Sequence, residues 1–132
     1  MRVRATKRER DECLDEVRLF IPGDGASVTV GKVYEVHAIS VFGGNVLVQI
    51  VDDLRFPVWY PSVLFEVVNR DLPSDWQCNS FAQISMQKHI VVFGPEFVVQ
   101  NEAAYNAMVE LDADQVDLFW KRVDLLSPEG GS

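Results

Sequence analysis

Cysteine and histidine are scarce in this sequence, and their scarcity limits the chemistry that the chain can carry. The 132 residues include two cysteines and two histidines. Cys13 and Cys78 lie far apart in unrelated contexts, so they form neither a CxxC redox pair nor a metal-binding knuckle. His37 and His89 fall in predicted strands without a neighbouring serine or cysteine motif, and P-loop, GxGxxG, HExxH and EF-hand patterns are missing. We therefore predict that the protein is not an enzyme and that it holds no metal and no cofactor.

Long apolar runs are missing as well. No run approaches the roughly 20 consecutive apolar residues of a membrane span, and the N-terminal residues lack the apolar segment of a signal peptide. These absences predict a cytoplasmic protein. The apolar content of 48% is enough for a core in a chain of this length, so we predict a single domain over residues 1–132.

Basic residues are few outside the N-terminus. The formal net charge is −8, and the first ten residues hold five basic groups and one acid, so the other 122 carry 7 basic against 19 acidic residues. An acidic body repels phosphate backbones and favours a basic partner, although surplus acid that merely maintains solubility is an equally open explanation. Val3 and Ala5 between arginines predict an edge strand, with a basic arm for nucleic acid as the alternative.

The strongest pattern in the sequence lies in residues 28–68. Apolar, β-branched runs are separated there by short turn sequences that join antiparallel strands. With an apolar run at 17–21, this pattern predicts a small, bent antiparallel barrel over residues 17–68, and the run at 46–51 is apolar on both faces, as an interior strand would be. The turn sequences are Gly31-Lys32, Gly43-Gly44-Asn45 and Asp52-Asp53-Leu54-Arg55.

The rest of the chain predicts helices after a further pair of strands, so the expected fold class is α+β, mainly β. Asn101 is predicted to cap a helix that ends near Leu111, and Asp112 to cap a second helix in which Gln115 completes a capping box. The predicted segments are a connector (69–80), a β-hairpin (81–95), a helical pair (101–126) and a disordered tail (127–132).

Some residues invite a functional interpretation. Trp59 and Tyr60 are adjacent in a predicted strand, so they point to opposite faces and we expect one of them to be available to a partner. Asp52-Asp53 and the group Asp112, Asp114 and Asp117 imitate metal sites, but a turn and a helix cap explain them. Aromatic side chains framed by acids suit a basic protein surface.

Three motifs resemble a family of small bacterial proteins. They are GK-x-Y-x-V at 31–36, YP-x-x-LFEVV at 60–68 and LPS-x-W at 72–76, and the Gly94-Pro95 step and acidic helices are similar to the family's C-terminal part. The resemblance covers roughly residues 28–123 and departs in the charged N-terminus and the segment 81–93. The resemblance implies an SH3-like barrel with a helical extension. It also implies a role as an immunity protein, which is a cytoplasmic antidote to one cognate bacterial toxin.

The leading hypothesis is therefore stoichiometric binding of a toxin, with a basic nuclease delivered by a secretion system such as type VI as the expected partner. The alternatives are an SH3-like adaptor or regulatory module for another protein, and a nucleic-acid-binding barrel that uses residues 1–10. We predict a monomer or weak dimer without nucleic acid or membrane as main partner. The predicted contact residues are Asp52, Asp53, Arg55, Trp59, Tyr60, Glu102, Glu110, Asp112, Asp114 and Asp117.

Overall fold

The computed structural model describes residues 1–9, 21–83 and 88–126, and in this part of the chain it has mainly strands, followed by helices. The predicted α+β, mainly β class is confirmed. The predicted strand at 17–21 lies outside the described residues except for Ile21, and the tail at 127–132 lies outside them entirely. The strands are β1 (Arg2–Ala5), β2 (Val33–Glu35), β3 (Ala38–Phe42), β4 (Asn45–Val51), β5 (Pro57–Pro61), β6 (Phe65–Asn69), β7 (Gln77–Gln83) and β8 (Lys88–Gly94). The helices are α1 (Glu96–Val99), α2 (Glu102–Val109) and α3 (Ala113–Leu126).

The described strands form two antiparallel sheets instead of one closed barrel. The larger sheet has the order β5-β4-β3-β8-β7, and the smaller has the order β2-β1-β6. After β5 the chain turns through a 3₁₀ helix at Ser62–Leu64, as the Pro61-Ser62 step predicts, and β6 then pairs with β1. Because β8 takes the place beside β3, the predicted hairpin joins the larger sheet and the barrel does not close.

Strand β1 is the central strand of the smaller sheet, so the prediction of an edge strand at Val3 and Ala5 is wrong. Val3 and Ala5 are each 1% exposed. Arg2 and Arg4 point outward on the same strand, where they pair with Glu35 on β2 and Glu66 on β6. The alternation of apolar and basic residues here therefore separates a buried face from an ion-paired face.

The larger sheet is covered on both faces, which gives the molecule two cores. Val48 and Ile50 of β4 pack in the first cluster, with residues of the smaller sheet and the segment 21–28. Residues on the opposite face of the sheet, such as Ala38 of β3, pack in the second cluster with α1, α2 and α3. Strand β4 pairs with both β3 and β5, which confirms the prediction of an interior strand.

The turn between β3 and β4 has the chemistry that the sequence predicts. Phe42 pairs with Asn45, which leaves Gly43 and Gly44 as a two-residue loop with φ values of 56° and 86°. Two successive positive φ angles are typical of a type I′ hairpin turn. Glycine adopts them readily because it has no Cβ atom that would clash with the backbone.

The two long helices meet in a turn that the sequence predicts only in part. Asn101 caps α2 as expected, because its Oδ1 accepts a hydrogen bond from the Ala104 N–H at 2.8 Å. Leu111 takes a left-handed φ of 57°, and the N–H groups of Leu111 and Asp112 donate to the carbonyls of Met108 and Ala107 in a Schellman arrangement.

The predicted capping box at the start of α3 is wrong. The Asp112 N–H already donates to Ala107, and the Gln115 side chain is buried and turned inward, 8% exposed. Its Nε2 donates to the carbonyls of Phe97 and Ala104, each at 3.0 Å. The Gln115 side chain thus ties α3 to α1 and α2.

Candidate functional site

The predicted acidic contact residues of the C-terminal part follow one another along α2, the turn after it and the start of α3. Glu102 stands in the first turn of α2, and Glu110 caps the C-terminal end of that helix, roughly 12 Å further along its axis. Asp112, Asp114 and Asp117 follow in the turn to α3 and in its first two turns. All five side chains reach solvent, and only that of Glu102 is half-buried.

The acids of the helices differ from the acids of the sheets in their partners. In the described ranges, Glu35, Asp53, Glu66 and Asp75 each pair with a lysine or arginine at distances between 2.5 and 3.2 Å. Within the same ranges, none of the carboxylates between positions 96 and 124 forms an ion pair. In the described ranges the helical carboxylates therefore carry negative charge outside any ion pair, and Lys121, one turn after Asp117, is a basic residue on the same helix.

Asp52 holds a turn together and does not face a partner. It is 5% exposed, and its Oδ1 accepts hydrogen bonds from the backbone N–H groups of Leu54 and Phe56 at 3.0 and 3.1 Å. Its Oδ2 accepts a third from the Tyr60 hydroxyl at 3.2 Å. A carboxylate that closes its own turn in this way is an Asx-turn, which removes Asp52 from the predicted contacts.

Asp53 points away from Asp52 and belongs to a different network. Its carboxylate accepts hydrogen bonds from Thr29 at 2.7 Å, Tyr34 at 2.8 Å and Lys32 at 3.0 Å. Burial alone would raise the pKa of Asp53, but these three donors outweigh it and hold the pKa below its ordinary value. The two adjacent acids therefore do not form a paired-carboxylate site.

Arg55 is the residue that connects the turn with the helices. Its backbone has a φ of 69°, and its guanidinium lies over the ring of Trp120 on α3, 5.0 Å from the ring centroid. This contact brings the 52–55 turn beside the helical part of the predicted site. Trp120 itself is half-buried against the second cluster.

Trp59 and Tyr60 point to opposite faces of the sheet as predicted, and they differ in exposure. Tyr60 is 5% exposed in the first cluster, where its hydroxyl accepts from the Ser27 N–H and donates to Asp52, and burial raises its pKa. Trp59 packs against Tyr105 of α2, with ring centroids 5.7 Å apart. Tyr60 is therefore not available to a partner, whereas the half-buried Trp59 also lines a cavity of about 490 Å³ beside α2 and stays a predicted contact.

Sequence reasoning missed the environment of His37. This residue lies between β2 and β3, and its ring packs edge-on against Phe119 of α3 at 4.8 Å. Burial lowers the pKa of His37 from 6.5 to about 4, helped by the positive charges of Arg122 and the N-terminus. The imidazole is therefore neutral near pH 7. Arg122 binds Asp75 through both carboxylate oxygens across 47 sequence positions, a separation that no local pattern reveals.

Residues 1–9, 21–83 and 88–126 also lack a metal-binding cluster and a membrane-spanning helix. No group of three or more histidine, cysteine, aspartate or glutamate side chains there is placed to hold a metal ion. No helix in these ranges is both long and apolar enough to cross a membrane.

The comparisons with known proteins leave the family open. Neither a protein-family model, nor a curated protein, nor a solved structure matches the chain. The resemblance to immunity proteins, drawn from three short motifs, therefore stays a prediction.

Proposed function

We propose that this protein is an immunity protein that binds one basic toxin in a fixed ratio and neutralises it without catalysis. The observation that supports the proposal is the set of unpaired carboxylates on the outer side of α2 and α3, which we call the acidic helix surface. It consists of Glu102, Glu110, Asp112, Asp114 and Asp117.

The charge pattern of this surface suits a basic partner. Residues 110–117 hold four acids and no base, and in the described residues these acids have no ion-pair partner of their own. Unneutralised charge of one sign produces a field that accelerates the encounter with a partner of opposite charge. The same field works against nucleic acid, and Arg2 and Arg4 at the N-terminus are already paired with glutamates.

The proposal is tested with the protein encoded by a toxin-domain reading frame beside the gene for this chain. Expressed alone, that protein should stop growth, and co-expression of this chain should restore it. In kinetic binding measurements, the association rate should fall as salt rises, because charges beyond the roughly 8 Å Debye length at physiological ionic strength are screened. The double variant Asp114→Lys/Asp117→Lys should associate at least tenfold more slowly and protect less.

A matched control separates this surface from net charge. Glu35→Lys/Glu66→Lys makes the same change in net charge, but on the smaller sheet, where both glutamates are ion-paired. This control should associate as the parent does. If both variants associate equally slowly, the acidic helix surface acts only through its contribution to net charge. If no toxin binds at all, the alternative of an adaptor module for another protein is favoured.

A further inference from the structure

A concave site lies beside Trp120 of α3. It is a cleft of about 490 Å³ between β2, the 52–55 turn, the connector before β7, and α3. Its walls include the indole rings of Trp76 and Trp120, and charged side chains of both signs line it: Arg2, Lys32, Arg55 and Arg122 together with Glu35, Asp52 and Asp53. A volume of this size with aromatic walls and a few charged groups is typical of small-molecule sites.

The cations of this cleft are not equivalent. Lys32 pairs with Asp53 at 3.0 Å, and the two terminal guanidinium nitrogens of Arg122 donate hydrogen bonds to the carboxylate of Asp75. Arg55 has no carboxylate partner in the described ranges, and its contact is the face of Trp120 at 5.0 Å. Arg55 is therefore a cation at the cleft that no carboxylate of the described residues neutralises, and such a guanidinium is suited to bind an oxyanion.

The backbone of Arg55 is a second and independent observation. Its φ of 69° lies in the left-handed region, where a turn favours glycine or asparagine over a residue with a long side chain. Non-glycine residues in this region are uncommon and are enriched at ligand-binding and active sites. Here the guanidinium lines the cleft and lies against an indole.

The cleft also contains a polar ring. His37 lines it, and burial, helped by the positive charges of Arg122 and the N-terminus, lowers its pKa to about 4. The ring is therefore a neutral hydrogen-bonding group near pH 7.

We propose that this cleft binds a small aromatic anion, with the carboxylate or phosphate of the ligand on Arg55 and its ring against the indole of Trp120 or Trp76. Arginine is the side chain best suited to bind a planar or tetrahedral oxyanion, and it can stack on an indole at the same time. The ring is needed because one free guanidinium alone holds a fully hydrated anion weakly. This site is separate from the acidic helix surface, so it does not depend on the proposed function.

The test uses two probes that combine a ring with a charge, benzoate and phenyl phosphate, which distinguish carboxylate from phosphate ligands. Acetate and inorganic phosphate supply the charge without the ring, and benzyl alcohol supplies the ring without the charge. Binding is followed by calorimetry and by the quenching of tryptophan fluorescence. At least one ring-bearing anion should bind tenfold or more tightly than its ring-free counterpart and than benzyl alcohol.

The variant Arg55→Gly suits the left-handed backbone and should fold, while it should lose at least tenfold in affinity for that probe. Arg55→Lys should keep part of the affinity, and Arg70→Ala, which removes an exposed arginine outside the cleft, should bind as the parent does. The proposal is overturned if neither ring-bearing anion is preferred, or if Arg55→Gly binds as well as the parent, with folding verified by circular dichroism.

Discussion

The smaller sheet and the helices handle their charges in opposite ways. On the sheet, Arg2 pairs with Glu35 and Arg4 with Glu66 across neighbouring strands. On the helices, the carboxylates from Glu96 to Asp124 stand without ion pairs in the described part of the chain. Cross-strand pairs of opposite charge support a sheet, whereas like charges crowded on helices repel one another.

Some of the carboxylates on the helices have a structural explanation. Glu96, Glu102 and Asp114 stand in the first turns of α1, α2 and α3, where a negative charge favours the helix. Glu110 stands at the opposite end of α2, where the helix dipole disfavours it. The helix dipole thus accounts for Glu96, Glu102 and Asp114 but not for Glu110, for which the proposed binding role offers an explanation.

The largest expected effect tests whether the two regions are parts of one folding unit. Phe119 is 1% exposed in the second cluster, so Phe119→Ala should lower the free energy of unfolding by about 3 to 5 kcal/mol, as large-to-small core changes do. Because β4 belongs to both cores, urea unfolding should stay a single transition in far-UV circular dichroism and in fluorescence. The neighbouring, exposed Leu118→Ala should change stability by less than about 1 kcal/mol.

Two separated transitions in Phe119→Ala would contradict this expectation. The helices would then unfold without the sheets, and the contrast between the regions would be one between independent bodies.

The next effect concerns His37, where the sheets meet α3. Its pKa in the folded protein is about 4, against 6.5 for the ordinary side chain, so between these pH values the unfolded chain binds a proton that the folded chain excludes. The contribution of His37 to the free energy of unfolding is therefore fully present above pH 6.5. It falls by about 3 kcal/mol as the pH drops towards 4. Urea midpoints between pH 7 and 4 should decline less in His37→Gln than in the parent.

The exposed His89 provides the matched control for this pH effect. His89→Gln should follow the parent across the whole pH range, since an exposed imidazole has no comparable burial. A His37→Gln curve parallel to that of the parent would mean that His37 takes up its proton in the folded state as readily as in the unfolded chain.

The features that the sequence predicts correctly are local ones. The Gly43-Gly44 turn and the Asn101 cap depend on residues within four positions of one another, so the chemistry of a few neighbours decides them. The exposure of Asp114 and Asp117 follows from helical periodicity, which places them opposite the buried Phe119 stripe.

The features that the sequence does not reveal depend on which distant segment covers a surface. Tyr60 and Asp52 look like contact residues until the segment 21–28 and the smaller sheet bury them. The Gln115 side chain looks like a cap until α1, which was not predicted, offers it the Phe97 carbonyl. Closure of the barrel likewise depended on which strand would lie beside β3, and the alternation of apolar residues is the same for either partner.

The smallest expected effect concerns two glutamates at opposite ends of α2, one favoured and one disfavoured by the helix dipole. Glu102→Gln removes a charge from the favourable N-terminal end of α2 and should lower the free energy of unfolding by about 0.3 to 1 kcal/mol, whereas Glu110→Gln removes one from the unfavourable end and should raise it by a similar amount. The two variants are isosteric with the parent, and each changes the net charge equally, so opposite signs in urea unfolding would come from position alone. Both differences should shrink in 1 M salt, where the Debye length is about 3 Å. A Glu110→Gln variant less stable than the parent would show that this acid supports the fold, and Glu110 would then no longer count as charge kept for a partner at the expense of stability.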